Sequence, residues 1–555
     1  MNDIYANKPW ANSYDPHVPP ELIYPEISLG ERMESVCSDY PDRAALVCMG
    51  VAITYRELDA LSNRFAQLLV REGCRPGDVV GYHGPNLLAG AVTVMGIHKA
   101  GCVYTGVSPL YTPEELAHQL QDCGAKVLVS FEPLAALAAK VVGGTGVKTV
   151  LVSAPTDLVP GAPAPTQPLA VVPGVEFRRF AATLAEMPAE RVSVSVGLDA
   201  PALMMYTGGT TGLPKGAVAT QKTVLANLTQ VRTWFDMKNG EEVFLSAFPI
   251  FHAAGNGVQL LAYSLGATNV LLPNPRDFQK AVETLKQHRP TLFGHVPTVF
   301  LELMKLPEFR ELDFSGVKYL WSGGSPYPAE KIRELEEVVG AGKLLEALGM
   351  TECMTWVLAN PHRGPRKIGS VGLPFSDMEA KLVDPETGRC VGIGDEGELL
   401  VRGPQVMKEY HKKPDETAHA LRDGWLHTGD IATMDEDGYF YVVDRLKDMI
   451  SVSGLKVFSR QVDDVLAEHP AVAMAATVGL PDPARPGSEI VASAIVLKPD
   501  VDGTETLKES ITEYLRGRLA PYKIPKVIEF MTQVPTSAVG KVLKRELRKI
   551  MKTPS

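Results

Sequence analysis

The stretch Tyr206–Gly216 reads YTGGTTGLPKG and follows the apolar run Ala202-Leu203-Met204-Met205. Four glycines, three threonines and one lysine occupy these eleven residues. The pattern predicts a strand feeding a loop rich in backbone N–H groups and hydroxyls, with an ammonium at its far end. Glycines let backbone approach a ligand closely, and Thr hydroxyls and Lys215 suit phosphate oxygens. The order is not the P-loop pattern G-x-x-x-x-G-K-[ST], because Lys215 precedes Gly216 and no Ser or Thr follows to hold magnesium. A plain flexible loop has a similar composition, so a nucleotide has to be argued from the rest of the chain.

With 555 residues the chain exceeds what one core fills, which predicts several domains. Hydrophobic and charged fractions of 45% and 22% are those of a soluble globular protein. A net charge of −10 and a pI near 5.7 argue against a general nucleic-acid or anionic-membrane surface. Positive charge for an anionic ligand must then be gathered locally. The seven cysteines (Cys37, Cys48, Cys74, Cys102, Cys123, Cys353, Cys390) are odd in number and lack a C-x-x-C, which points to a reducing compartment and away from disulfides or zinc. MNDIYANKPW has no signal-peptide pattern, so a cytoplasmic location is expected. The most apolar window, Leu87 to Val107, is interrupted by His98-Lys99 and glycines, and reads as a buried helix followed by a strand. Peripheral membrane contact stays open.

Residues up to about Pro25 read as a surface arm. Ala45–Cys48 and Ala52–Thr54 predict a hairpin. Thr54 then caps a helix with Glu57 three residues on, and Leu58, Leu61, Phe65, Leu68 and Leu69 recur at helical spacing. From Val79 to Ser153, and again from the glycine-rich loop to about residue 360, strands and helices alternate, which predicts parallel sheets covered by helices. After residue 370 the segments become short, alternating and bounded by Gly and Pro, so this part is β-rich. Residues 448–555 read as a small α+β unit. The expected fold is therefore α/β: a large N-terminal domain, 1–446, with a β-rich subdomain at about 370–446, and a small C-terminal domain, 448–555.

Several further constellations carry chemistry. His252 ends Phe248-Pro249-Ile250-Phe251-His252 beside small residues; it reads as a ligand contact or as a packed histidine. Ser322-Gly323-Gly324-Ser325-Pro326 is a strand-to-glycine loop that suits a flat ring against backbone, or an ordinary turn. EALGMTE, Glu346 to Glu352, ends in a carboxylate suited to magnesium or simply to solvent. WLHTGD ends in Asp430, which can accept two hydrogen bonds from a ribose diol. Arg445 follows fifteen residues later, and Lys541 stands in a flexible TSAVGK near the C-terminus.

In this order and spacing the motifs YTGGTTGLPKG, GMTE, the TGD ending at Asp430, DRLKDMI (Asp444–Ile450) and SAVGKVLKREL around Lys541 resemble the acyl-adenylate-forming superfamily. That superfamily contains acyl-CoA synthetases, firefly-type luciferases and adenylation domains of peptide synthetases. The resemblance runs from about Pro41 to Arg548. It is greatest to fatty-acyl-CoA synthetases, through GPQVMKEYHKKPDET (Gly403–Thr417) and KDMISVSG (Lys447–Gly454). It implies an ATP-dependent ligase using Mg2+ and coenzyme A on a carboxylic acid. The acid is expected to be a medium- to long-chain fatty acid, with a branched, alicyclic or aryl acid as the alternative.

By the resemblance, Thr207, Gly208, Gly209, Thr210, Thr211, Gly212 and Lys215 hold the β- and γ-phosphates. Thr351 meets the α-phosphate, and Glu352 with Thr207 holds magnesium. Gly323, Gly324 and Ser325 with Glu346, Ala347, Leu348, Gly349 and Met350 enclose adenine, while Asp430, Val442 and Arg445 take the ribose. Lys541 bridges the carboxylate and the α-phosphate. Lys447 is the hinge about which the small domain turns, bringing Gly454 and Lys456 to coenzyme A, with His252 near the thiol. The acyl pocket draws on His252, Asn256, His295, Val296, Gly323, Cys353 and Trp356. A homodimer is common among such enzymes.

Two departures stand out. Leu348 occupies a position usually aromatic, and Asn256 stands where some long-chain synthetases have a tryptophan gate. Rival readings are a luciferase-like oxygenase, another acyl-AMP ligase, a peptide-synthetase adenylation domain, or an inactive acyl- or nucleotide-binding homologue. Only fourteen residues follow Lys541, too few for a carrier domain, and retention of Lys215, Glu352, Asp430, Arg445 and Lys541 speaks against inactivity.

Overall fold

The helix Leu88–Lys99 is buried along every residue, so it has no solvent face. Its apolar sequence leaves it one stable position, between sheets, and it packs against strands of two of them. Its one ammonium is paired: Lys99 Nζ lies 2.6 Å from Asp59 Oδ1 and 2.8 Å from Asn63 Oδ1, which is how a buried lysine is tolerated. The helix-then-strand reading of Leu87–Val107 is borne out, since Val103–Val107 is a fully buried strand.

The computed structural model describes residues 4–163, 165–207, 214–325, 327–537 and 541–551. One sheet has eight strands, in the order Glu409–Tyr410, Lys215–Thr220, Pro201–Thr207, Val103–Val107, Val79–His83, Val127–Phe131, Thr149–Ser153 and Glu176–Arg179. It is parallel from Pro201–Thr207 outward to Glu176–Arg179 and antiparallel at its other end. A second sheet has nine strands. Its parallel centre runs Tyr319–Gly323, Leu292–His295, Val243–Ser246, Thr268–Leu271 and Ala44–Cys48, with Leu344–Gly349 parallel to Tyr319–Gly323.

Helices fill the space between the sheets and cover both outer faces, giving alternating helix and sheet layers. The capping box at Thr54 forms as expected and starts the helix Tyr55–Arg71.

The β-rich part is a five-stranded antiparallel sheet that includes Glu379–Val383, Gly397–Arg402, Trp425–Met434 and Phe440–Arg445. Beyond it, the strands Val472–Pro481, Glu489–Leu497 and Val527–Phe530 form a separate sheet under the helices Ser459–Ala467, Glu505–Arg516 and Lys544–Ile550, with apolar cores of its own. The α/β class with a smaller α+β C-terminal part is thus the observed architecture.

The N-terminal arm runs over the surface as expected, with Ile23 almost fully exposed, but it is pinned rather than loose: Trp10 is fully buried with its ring 6.0 Å from that of Phe440, and Tyr14 donates to the Pro374 carbonyl at 2.6 Å. Buried Tyr5 and Trp10, with half-buried Tyr14, anchor this irregular, Pro-rich backbone.

Candidate active site

Two strands flank the glycine-rich stretch and form a hairpin. Pro201–Thr207 and Lys215–Thr220 pair antiparallel, with Thr207 directly opposite Lys215. Gly208, Gly209, Thr210, Thr211 and Gly212 lie outside the described residues. At the hairpin's base the Lys215 ammonium stands 4.4 Å from the centre of the Tyr410 ring, a cation–π contact. Tyr410 donates its phenol to Glu352 Oε1 at 2.6 Å, and burial and the Glu352 charge both push that phenol's pKa up, keeping the proton in place. Tyr410 is fixed by pairing with Ala217 on the hairpin, and Glu352 by its carbonyl, which accepts from Met407 N–H at 2.7 Å. Lys215 and Glu352, 137 residues apart in sequence, are therefore joined through Tyr410. Sequence reasoning quoted Tyr410 only inside a longer motif and gave it no part; its aromatic ring between a lysine and an acid was the available signal.

Asp430 and Arg445 are cross-strand partners, and Arg445 Nε lies 3.0 Å from Asp430 Oδ1. The other oxygen, Oδ2, is buried without a partner. A buried carboxylate oxygen left unpaired is costly unless a ligand satisfies it. Burial raises the Asp430 pKa, opposed by Arg445 and Lys541.

Lys541 joins this group from the C-terminal part. Burial first and then Arg445 bring its pKa down to about 8, against the opposing pull of Asp430 and Glu352. A Cβ placed on Gly324 would stand 3.2 Å from Lys541 Cε, and its φ of +83° is a conformation that favours glycine. The lysine therefore lies against the Ser322–Ser325 loop. Lys447 lies in the same field; burial and Arg445 lower its pKa.

Gly323 pairs with Ala347 in the parallel register of Tyr319–Gly323 and Leu344–Gly349. A Cβ on Gly349 would meet the Thr355 carbonyl at 2.1 Å, so the chain turns tightly into Met350 and Thr351. Glu346 spends its carboxylate on the Gly369 N–H at 2.8 Å and its carbonyl on the Asn360 N–H at 3.1 Å, and burial raises its pKa to about 7. Leu348 lies opposite Leu358 and remains partly exposed. The Val442 carbonyl accepts from the Arg460 guanidinium.

His252 caps the helix Ala253–Leu265, its Nδ1 accepting from Ala254 N–H at 3.3 Å. Burial and then the nearby Lys541 charge bring its pKa to about 3, so the ring is neutral. His295, also lowered by burial to about 3, stacks on Phe248 at 5.2 Å. Neighbouring Val296 is buried.

The segment leading to His252 is held by Asn86, which sequence reasoning missed. Asn86 Nδ2 donates to the Ser246 and Phe248 carbonyls at 3.0 and 2.9 Å, and its Oδ1 accepts from Ile250 N–H at 2.8 Å. Asn86→Ala removes all three bonds and strands buried backbone groups. The Ser246 carbonyl keeps the Leu272 N–H at 3.3 Å, so two groups lose their partner and we expect a loss of roughly 2–6 kcal/mol of stability at 1–3 kcal/mol per unsatisfied group, read by urea denaturation; an unchanged midpoint would contradict it.

Asn256 is fully buried, and neither side-chain amide atom has a partner. Trp356 is buried against Trp321, ring centres 5.6 Å apart, within an aromatic cluster that includes Phe235 and Phe244. Trp356 thus has a packed-core position. Cys353 is buried, which raises its thiol's pKa. Gly454 and Lys456 are on the hairpin Ile450–Val452/Leu455–Val457, where Lys456 pairs with Glu386 at 3.7 Å.

The Asp430–Arg445 pair, with one buried carboxylate oxygen unpartnered, therefore lies in the same charge field as Glu352 and as Lys541 from the C-terminal part. Residues 33–411 match the family model described as AMP-binding enzyme, and residues 461–541 match that of the AMP-binding enzyme C-terminal domain. The chain belongs to the AMP-binding enzyme family. It is 38% identical over 559 aligned positions to a long-chain-fatty-acid–CoA ligase of Escherichia coli O157:H7, covering 98% of both chains. Among solved structures, ATP-bound MatB from Rhodopseudomonas palustris is similar with a TM-score of 0.84 at 27% identity, over 94% of this chain and 98% of that one. The apo form of MatB from the same organism gives 0.72 at 28% identity over the same shares.

Proposed function

We propose that the chain is an ATP-dependent acyl-CoA synthetase that activates a medium- to long-chain fatty acid as acyl-AMP and passes the acyl group to coenzyme A. The observation that carries this reading is Lys541 seated beside Gly324 within the charge field of Asp430, Arg445 and Glu352. A carboxylate is a poor acyl donor because its leaving group would be oxide. Attack of its oxygen on the α-phosphorus of ATP expels pyrophosphate, and the mixed anhydride then offers AMP as the leaving group to the coenzyme A thiol.

The site's work in the first step is to bring two anions together and release a third, which is mainly electrostatic. Lys541 bridges carboxylate and α-phosphate, holding them at attack distance and offsetting their repulsion. Lys215, Thr207 and the loop 208–212 take the leaving pyrophosphate, and Thr351 the α-phosphate. Asp430 Oδ2 accepts from the ribose diol with Arg445 fixing the carboxylate. Gly323 to Ser325 and Ala347 to Met350 flank adenine, whose face Leu348 covers without stacking.

Magnesium fits the hard oxygen donors present. Among the described residues no three His, Cys, Asp or Glu side chains are grouped to hold a metal alone, and one carboxylate plus phosphate oxygens is the set magnesium favours. Glu352 and Thr207 would hold it, and when bound it would neutralise charge on the pyrophosphate.

We take residues 1–446 and 448–555 as two units hinged at Lys447, so that turning the second withdraws Lys541 and presents Gly454 and Lys456 to coenzyme A. Withdrawal also removes one of the two causes of the low His252 pKa, leaving the imidazole a better proton acceptor as the thiol arrives. Among the described residues no helix is long and apolar enough to cross a membrane. We further propose a cytoplasmic location and a homodimer, open to fractionation and sedimentation.

A second reading, an aryl acid bearing a hydrogen-bonding ring substituent, is favoured by the unpartnered amide of buried Asn256, which an alkyl chain would leave unpaired. The test is AMP release with ATP and coenzyme A across acids from acetate to oleate plus aryl and alicyclic acids. Fastest turnover with octanoate through oleate is expected. Preference for an aryl acid supports the second reading, and no AMP release with any acid overturns both.

A further inference from the structure

Asp444 and Ser459 stand on opposite sides of Lys447 in sequence, yet they meet. The helix Ser459–Ala467 has no side-chain cap of its own at Phe458. Its N-terminal N–H groups are satisfied by Asp444, which belongs to the last strand before Lys447. Asp444 Oδ2 accepts from Ser459 N–H at 2.5 Å, from the Ser459 hydroxyl at 2.6 Å and from Arg460 N–H at 3.4 Å. Its Oδ1 accepts from Arg445 N–H at 2.7 Å. A carboxylate on a helix N-terminus is favourable in both charge and hydrogen bonding. Here it is 6% exposed, which strengthens each bond and penalises leaving it unpaired.

The contact continues toward Lys541. The fully buried Ser459 hydroxyl accepts from Lys544 Nζ at 2.5 Å, and Lys544 opens the helix Lys544–Ile550 three residues after Lys541. On the other flank, Arg276 Nη2 donates to the Ser537 carbonyl at 3.0 Å. Ser537 is itself bonded to Lys541, its N–H donating to the Lys541 carbonyl at 2.7 Å and its hydroxyl accepting from Lys541 N–H at 3.1 Å. The segment that carries Lys541 is therefore tied on one flank to Arg276 and on the other, through Lys544 and Ser459, to Asp444, and both Arg276 and Asp444 precede Lys447 in the chain.

We propose that Asp444, Ser459 and Lys544 are positioning residues for the first half-reaction: a latch that closes only when Lys541 faces the nucleotide and must break for the second. This rests on the synthetase reading above. Turning the C-terminal part about Lys447 carries Ser459 and Lys544 away while Asp444 stays with Arg445. The latch thus distinguishes the two orientations, which a contact within either part does not.

The experiment measures acyl-AMP formation from acid and ATP, and thioester formation from supplied acyl-AMP and coenzyme A, in Asp444→Ala, Asp444→Asn, Ser459→Ala and Lys544→Met. Small misplacement of a reacting group costs on the order of tenfold to a hundredfold, so Asp444→Ala should slow acyl-AMP formation by that factor with little change in KM for ATP, while thioester formation is retained. Asparagine, which also caps helices, should restore part of the rate. Equal loss in both half-reactions, or wild-type rates in both, overturns the proposal.

A second readout needs no chemistry. With Cys390, the exposed cysteine, replaced by serine, Arg276→Cys and Ser537→Cys are joined by a short bismaleimide. Joining should be slower when Asp444→Ala is added, and an unchanged rate overturns the latch. If joining behaves as expected but the wild type adenylates no acid, the synthetase reading fails and the latch does not.

Discussion

Lys541→Ala is expected to lower acyl-AMP formation by on the order of 10²–10³-fold, the cost of removing one preorganised donor to a developing anion, while supplied acyl-AMP and coenzyme A still give thioester. The argument is geometric before it is electrostatic. The Lys541 side chain reaches Gly324, at the edge of the strand loop expected to flank adenine, and shares its field with Asp430 and Glu352. No other described lysine combines that position with attachment to the C-terminal part.

Its protonation adds a pH signature. A bridge between two anions needs the ammonium form, and burial brings the pKa from the usual lysine range to about 8. The ammonium predominates below that value and is lost as pH rises through it. The kcat/KM for adenylation should therefore fall above about pH 8, and Lys541→Arg should move that limb upward because a guanidinium does not deprotonate there. Thioester formation from acyl-AMP should lack the limb. Equal impairment of both half-reactions by Lys541→Ala would contradict the assignment.

Asp430→Ala is expected to raise KM for ATP by on the order of tenfold to a hundredfold, with a smaller effect on the fold. The free Oδ2 is a buried acceptor that the protein leaves unused, so losing it removes hydrogen bonds that a ribose diol would make to a charged group, each about 1.5–3 kcal/mol. The ion pair contributes less to stability than its 3.0 Å length suggests, because the Arg445 side chain is 49% exposed and screened by water. An ATP titration followed by pyrophosphate release decides it, and an unchanged KM would remove the ribose role. Asp430→Asn should fall between, since the amide keeps one acceptor oxygen.

Local signals in the sequence were read well. The Thr54 capping box, the unbroken apolar helix at Leu88–Lys99 and the change to short strands after residue 370 all depend on neighbouring residues, and each appears where expected. Pairings between distant segments were not legible. Asp430 and Arg445 were both singled out, but only the antiparallel register puts them face to face. Tyr410 joins Lys215 to Glu352 because a two-residue strand pairs with the far side of the hairpin, and nothing local predicts that. Asn86 and Asp444 act on backbone outside their own neighbourhoods, so Asn86 carries no local signal and Asp444 is legible only as the first residue of DRLKDMI, without its part at Ser459. The anchoring of the arm was not legible, because Pro and Asn mark irregular backbone and say nothing of Trp10 being buried within it.

The most direct test of the central claim is a product balance: ATP, magnesium and coenzyme A with fatty acids from octanoate to oleate, followed by separation of nucleotides and thioesters. The account predicts AMP, pyrophosphate and acyl-CoA in equal amounts, and acyl-AMP when coenzyme A is withheld. ADP with phosphate, or AMP without any acyl-CoA across the acid series, would contradict it.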